Sequence, residues 1–342
     1  MKTSLCCFLC VLFGAWTGAL GQEQNKAGTT AAQFLRIGVG ARQVAMAGAT
    51  SGVVDDASAM YWNPSGLVGV PAFSLFATHT DWFADLRHQY FGIVLPLGDN
   101  HRIGISATIL TMGDMEVTTE LEPQGTGTFF SANDVAVGIS YAIRLVDFFS
   151  FGATVKYVNQ SIYNESASGI AVDMGTMLTT GWNGITIGMA FSNFGSTLQL
   201  SGRDLQKTYD PNPNNATNVG VASNLATQAW ELPINFRVGI GWKLVGSSDA
   251  MLTDETHGLR LAVDGNHPND GPENASLGVE YSFANVLALR GGYQLNDDVR
   301  RWSYGVGLLW EVPGSFSAGF DYAMMDLVRL GSVHVFSLAI GL

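Results

Sequence analysis

The chain has 342 residues and a formal net charge of −12; charged residues make up only 13%, while glycine (41) and aromatic residues (11%) are abundant. The acidic balance excludes a nucleic-acid binder, which would turn a basic face to phosphate. A charged fraction of about half that of an average soluble domain suits a wall facing lipid. Yet nothing after Gln22 approaches the roughly 18 consecutive apolar residues of a spanning helix, so a membrane location requires strands.

Met1 and Lys2, followed by an almost unbroken apolar run from Leu5 to Leu20, have the layout of a secretory signal. Ala19 and Gly21 put small residues before Gln22, where a signal peptidase cuts, so residues 1–21 are expected to be removed. Cys6, Cys7 and Cys10, the three cysteines, go with them, which leaves no disulfide, thiol nucleophile or thiolate metal site in the mature chain. Residues 22–68 do not alternate in twos; 31–49 are rich in alanine and small apolar residues without proline, which predicts a small, partly helical amino-terminal plug. Asn63-Pro64 and Ser65-Gly66 then mark a sharp turn, because proline biases its predecessor away from helix and glycine tolerates positive φ.

The remainder, 69–342, breaks into segments of about ten residues with a two-residue period. Ile234, Phe236, Val238, Ile240 and Trp242 alternate with Asn235, Arg237, Gly239, Gly241 and Lys243, so every charge falls on one face. Strands are predicted near 70–79, 87–97, 101–112, 133–144, 148–160, 168–180, 184–194, 232–244, 258–265, 274–283, 286–294, 301–311, 315–324 and 333–342. The fold class is therefore all-β, a fourteen-stranded antiparallel transmembrane barrel. Connections after even-numbered strands are mostly tight, with 245–257 the exception, and those after odd-numbered strands are longer, notably 113–132 and 195–231; bacterial barrels put short turns in the periplasm and long loops outside. A secreted sandwich alternates too, but it needs a polar outer face, and here aromatic residues such as Trp230, Trp242, Trp302 and Trp310 bracket strands as interface girdles do.

Fourteen strands at ~4.8 Å spacing and ~40° tilt enclose a tube roughly 28 Å across, too wide for side chains to fill, so the amino-terminal segment is the natural filler. The inward phase carries Lys156, Arg237, Lys243, Arg260 and Arg290 beside Asp173, Asp264, Glu280, Glu311 and Asp321. Balanced signs predict a salt-bridged lumen, whereas a selective ion pore favours rings of one sign.

Gly38-Val39-Gly40-Ala41-Arg42, Ala45-Met46-Ala47-Gly48-Ala49, Asp55-Asp56-Ala57-Ser58-Ala59 and Tyr61-Trp62-Asn63-Pro64-Ser65-Gly66-Leu67 resemble the opening of the PorV/PorQ family of FadL-like outer-membrane barrels. The resemblance is specific over about 34–67, with Asn63, Pro64, Ser65 and Gly66 matching an Asn-Pro-Ala-Gly type motif save for serine in the third place. It implies a plugged barrel in the outer membrane. The PorV branch implies type IX protein secretion, with exported cargo or secretion components as partners. The FadL branch implies passive transport of long-chain fatty acids or other hydrophobic compounds, with Phe34, Leu35, Ile37 and Met46 as candidate apolar ligand contacts. The carboxy terminus alternates through Phe336, Leu338 and Ile340 but ends in Leu342, where many such barrels end in an aromatic.

No enzyme, metal or cofactor is expected. His79, His88, His101, His257, His267 and His334 are scattered without paired metal spacing, and Gly38-Val39-Gly40 follows no strand and lacks the third glycine of a dinucleotide fingerprint. Asp264-Gly265-Asn266 with Asp270 and Glu273 misses calcium-loop spacing and reads as a solvated loop, as do Asp114, Glu116, Glu120 and Glu122. Asp55-Asp56 either lines the plug or forms an exposed turn.

Overall fold

The structure, a computed structural model, describes residues 26–211, 220–246, 249–312 and 316–342; the expected signal segment lies outside the described residues. Fourteen long strands close into one antiparallel barrel. In chain order they are β1 (Ser74–Asp81), β2 (Arg87–Leu97), β3 (His101–Thr111), β4 (Ala132–Val146), β5 (Phe149–Ile162), β6 (Glu165–Thr179), β7 (Ile185–Gly195), β8 (Asn235–Gly246), β9 (His257–Pro268), β10 (Asn274–Phe283), β11 (Leu287–Leu295), β12 (Arg300–Val312), β13 (Phe316–Leu327) and β14 (Gly331–Gly341). Each pairs with its neighbour in sequence. Pairing of β1 with β14, from Ser74 opposite Gly341 to Asp81 opposite His334, abolishes the edges that lipid could not satisfy.

The two-residue period sorts each wall strand. On β2, Phe91, Ile93 and Leu95 face outward and are exposed, while Tyr90 and Val94 are buried inside; on β8, Phe236 and Ile240 face outward against buried Arg237. Because the outer medium is hydrocarbon, that exposed apolar band is the stabilised arrangement. Trp302 and Trp310 mark opposite ends of β12 on the exposed face, and Trp242 donates its indole N–H to Asn183 O at 3.0 Å in a short turn. Trp230 is exposed as well, but it stands on a loop, bridged to Leu198, and not on a strand. Histidine–tyrosine pairs on neighbouring strands add anchors: His101 with Tyr141 at 2.7 Å, His257 with Tyr281 at 2.7 Å and His334 with Tyr322 at 2.8 Å.

Strand boundaries differ from the sequence reading where the plug or proline intervenes. β1 starts at Ser74, since residues up to Gly69 remain in a 3₁₀ turn and Val70 O is taken by Arg102. β8 starts at Asn235, beyond Pro233, whose ring nitrogen cannot donate to a ladder. The rule that every odd-numbered connection is long does not hold: β5 and β6 run on to Ile162 opposite Glu165, so a two-residue turn at Tyr163 and Asn164 joins them. Among the described residues the two connections 112–131 and 196–234 are elaborated on that side, and since bacterial barrels turn their long loops outward, that end is taken as the outer one.

Candidate functional site

The segment before β1 runs through the barrel from its outer mouth to its short-turn end. Thr30 bridges to Glu231 in the long outer loop, and Ala31 N donates to Glu231 O at 2.9 Å. Buried Asp270, in the outer turn between β9 and β10, latches this entry by accepting from Thr30 Oγ1 at 2.6 Å, Gln33 Nε2 at 2.6 Å and Arg36 at 2.7 Å. Burial alone would raise its carboxyl, but those hydrogen bonds and the Arg36 charge outweigh it and hold it below the usual carboxylate range. Below the latch come a 3₁₀ turn (Gln33–Arg36), helix α1 (Ala41–Ala45), helix α2 (Ala59–Trp62) and a second 3₁₀ turn (Pro64–Gly69). These short pieces are held by the wall, because helices of four or five residues have no stability of their own. Gly40, at φ 84°, starts α1, and Gly38 packs on Trp62, so Gly38-Val39-Gly40 is a packing and turning device.

Asn63 joins the plug to itself and to the wall. Its Nδ2 donates to Ser51 O at 2.7 Å and to Thr176 O of β6 at 3.1 Å, and its Oδ1 accepts from Ser65 N at 3.2 Å. The serine in the third place of the motif adds a bond of its own, Ser65 Oγ to Asn63 Oδ1 at 2.7 Å. Pro64 stands at the first position of the 3₁₀ turn, where its missing N–H costs nothing. The wall meets this backbone with glycine: a Cβ at Gly175 would collide with Asn63 Oδ1, at Gly152 with the Pro64 carbonyl, and at Gly188 with the Ser51 carbonyl.

The inward charges assemble, and the plug supplies their missing partners. Arg42 bonds Glu280 at 2.8 Å and Asp55 at 2.5 Å; Arg260 reaches Asp55 at 3.1 Å; Arg290 joins Glu280 at 2.7 Å to Asp321 at 2.5 Å. Asp55 and Asp56 therefore line the plug and are not an exposed turn. Lys156 and Asp173 pair at 2.8 Å. Asp264 is no solvated loop residue: it is fully buried on β9, and its carboxylate accepts from Thr50 N at 3.1 Å and Ser51 N at 2.8 Å. Lys243 lies at the short-turn end, 4.0 Å from Asp249, and Glu311 is exposed near that same end of β12. Arg42 entered the sequence reading only as part of the Gly38–Arg42 stretch that carries the resemblance and not as a lumen charge, since nothing local distinguishes it from a surface cation.

Phe34, Leu35 and Ile37 pack with Val158, Leu198 and Leu232, and Met46 packs with Ala49 and Ala262. All four are buried, so they serve first to seat the plug. Two cavities flank it. The inner one, about 390 Å³, is bordered by Asp55, Arg144, Lys243, Asp249 and Arg260. The outer one, about 70 Å³, has Trp62 on its plug side and Asn235, Arg237, Asn266, Asn274 and Gln294 on its wall. The Arg237 guanidinium lies 4.7 Å from the Trp62 ring centre and 5.7 Å from that of Tyr61. Asn235 and Asn266 figure in the sequence reading only within their own segments: asparagine and glutamine on a lumen phase look like filler until closure brings these four amides to one wall beside Arg237.

A closed barrel with lipid-facing aromatics, a buried amino-terminal plug and a polar, ion-paired lumen defines a plugged outer-membrane barrel. Solved structures share the fold. A CymD monoaromatic hydrocarbon channel superposes with a TM-score of 0.59 at 14% identity, covering 89% of this chain and 97% of that one. The toluene transporter TodX of Pseudomonas putida gives 0.57 at 14% identity with coverage of 89% and 97%, and a FadL homologue of Pseudomonas aeruginosa gives 0.55 at 12% with 88% and 97%. No curated protein matches by sequence. The profile described as "Type IX secretion system protein PorV" matches residues 20–257, more than half the chain, and the protein belongs to that family. Its place is the outer membrane.

Proposed function

We propose that this barrel serves protein secretion of the type IX kind by engaging exported cargo or other secretion components at its outer face. The observation that carries the reading is the construction of the two long outer loops. In the first, Met115–Glu116 pairs with Phe129–Phe130; in the second, Gln206–Tyr209 pairs with Val221–Asn224. Apolar side chains crown both, with Leu121 93% exposed and Tyr209 63% exposed. On the water side of the membrane such groups gain by being covered, and ordered loops on a rigid scaffold are where recognition is commonly carried. Membership of the PorV family supports the same reading.

Passive transport of hydrophobic compounds is the second reading, supported by the fold shared with hydrocarbon channels and by the apolar cluster of Phe34, Leu35 and Ile37 beside the outer mouth. Native mass spectrometry of the barrel isolated from outer membranes in mild detergent separates the two. The secretion reading expects a stoichiometric protein partner that is lost when 115–130 is replaced by a short glycine–serine turn. A retained fatty acid or similar apolar molecule on a lone barrel would reject it in favour of transport.

A further inference from the structure

We propose that the side chains of Lys156 and Asn193 are joined by an isopeptide bond whose formation Asp173 catalyses, so that β5 and β7 are covalently stitched across β6. Lys156, Asn193 and Asp173 come from three consecutive strands, the acid from the middle one, and are only 9%, 3% and 1% exposed. Lys156 Nζ lies 2.5 Å from Asn193 Oδ1 and 2.8 Å from Asp173 Oδ2. With a C=O bond of about 1.2 Å, Nζ is within roughly 3.7 Å of the amide carbon Cγ, close to the separation of a near-attack arrangement. Among the described residues Asp173 is the only ion-pairing partner of Lys156. The backbone is bent to make this meeting. Alternation along β7 turns Ser192 to the lumen and would send Asn193 to the lipid, yet Asn193 takes a left-handed φ of 64° and is buried as well. The register of β6 on β7 slips between Val172 and Met174, at Asp173, whose Oδ1 accepts from Asn193 N at 2.7 Å. Such departures cost energy and gather where chemistry needs them.

The neighbours of Lys156 on the adjoining strands are Gly138 and Ala171, and a Cβ at Gly138 would press on Lys156 Cγ, so the stem lies flat along the wall. Ala171 and Val158, both fully buried, make the surroundings apolar. Asp173 is placed to take a proton from the Lys156 ammonium, which frees the amine lone pair. The amine attacks Cγ of Asn193 and the new C–N bond forms. Asp173 then hands its proton to Nδ2 and takes another from the attacking nitrogen; the Cγ–Nδ2 bond breaks, and ammonia leaves, removing that last proton as ammonium. Net, one ammonium group and one carboxamide become a secondary amide and an ammonium ion, with no oxidant or cofactor. Asn193 borders the outer cavity, which gives the ammonia a way out. The bond fixes the outer half of the wall just before the loop 196–234, and it does not depend on the secretion reading, because it is built from the wall alone.

Peptide mapping by mass spectrometry of the full-length barrel, purified folded from outer membranes, tests it. A digest should yield the fragments that carry Lys156 and Asn193 as one branched species, lighter than their sum by the mass of ammonia, about 17 Da. The branched fragment decides and not the intact mass, because an amino-terminal Gln22 sheds the same ammonia when it cyclises. Asp173→Asn should leave the two fragments separate although Lys156 and Asn193 are both present, and Lys156→Arg should do the same. Two unlinked fragments of full mass from the unaltered protein overturn the proposal, as does a folded D173N barrel that links as completely as the unaltered one. Should either variant fail to fold, the map of the unaltered protein still decides.

Discussion

Replacing Asn63 by alanine should loosen the plug while leaving the barrel intact. The side chain is fully buried and makes four hydrogen bonds, two of them to groups with little recourse: Ser51 O, which sits against Gly188, and Ser65 N, at the start of a 3₁₀ turn. A buried polar group left without its partner costs about 1–3 kcal/mol. Two such groups make a loss of roughly 2–6 kcal/mol, and the lower figure already raises the opening equilibrium of the plug about thirtyfold. None of the strand pairings depends on Asn63 except through Thr176 O, so the wall should retain its stability. Hydrogen–deuterium exchange on the detergent-solubilised protein resolves the two parts: amides of 50–66 should exchange faster by about that factor, while those of β3 to β5 stay protected. Unchanged protection across 50–66, in a variant whose folded mobility on a gel is preserved, would refute the assignment of Asn63 as the clasp.

The remaining expectations concern the ion pairs, the glycine seat and the latch. Arg42→Gln leaves Glu280 and Asp55 short of a cation in the lumen and should cost about 3–5 kcal/mol of plug docking, read by accessibility of a cysteine placed at Ala47. Gly188→Val sets a branched side chain against the Ser51 carbonyl and should expel the plug near Ser51, with raised single-channel conductance in planar bilayers as the signature. Asp270, held below its usual range, contributes to the latch in full above the unfolded carboxylate value of about 3.9 and loses that contribution as pH falls through its lower folded value. Asp270→Asn should therefore speed exchange of 30–36 at neutral pH, an effect the unaltered protein shows only in strong acid.

Much of the wall is legible locally. β8 shows why: Phe236, Val238 and Ile240 on one phase and Arg237, Gly239 and Gly241 on the other leave no register in which both faces could be soluble. The positions of Pro64 and Gly66 likewise announce a turn before any fold is known. The elements misjudged were those whose limits are set by distant contacts. Residues 70–73 alternate acceptably yet stay out of β1 because Arg102 claims Val70 O, and the β5–β6 hairpin extends because its partner strand continues.

By itself, then, the sequence determined an exported, fourteen-stranded wall with one apolar face and a small non-alternating filler, since a two-residue period is a property of each strand alone. Tertiary structure decided what every lumen side chain meets. Arg42 and Glu280 are 238 residues apart, and only closure of the barrel together with the path of the plug makes them partners. The same closure turns Gly152, Gly175 and Gly188 from apparent lumen filler into the seat of a backbone, and sets Arg237 of the wall against the rings of Tyr61 and Trp62 of the plug. These meetings sum the registers of many strand pairs, and no local pattern encodes that sum.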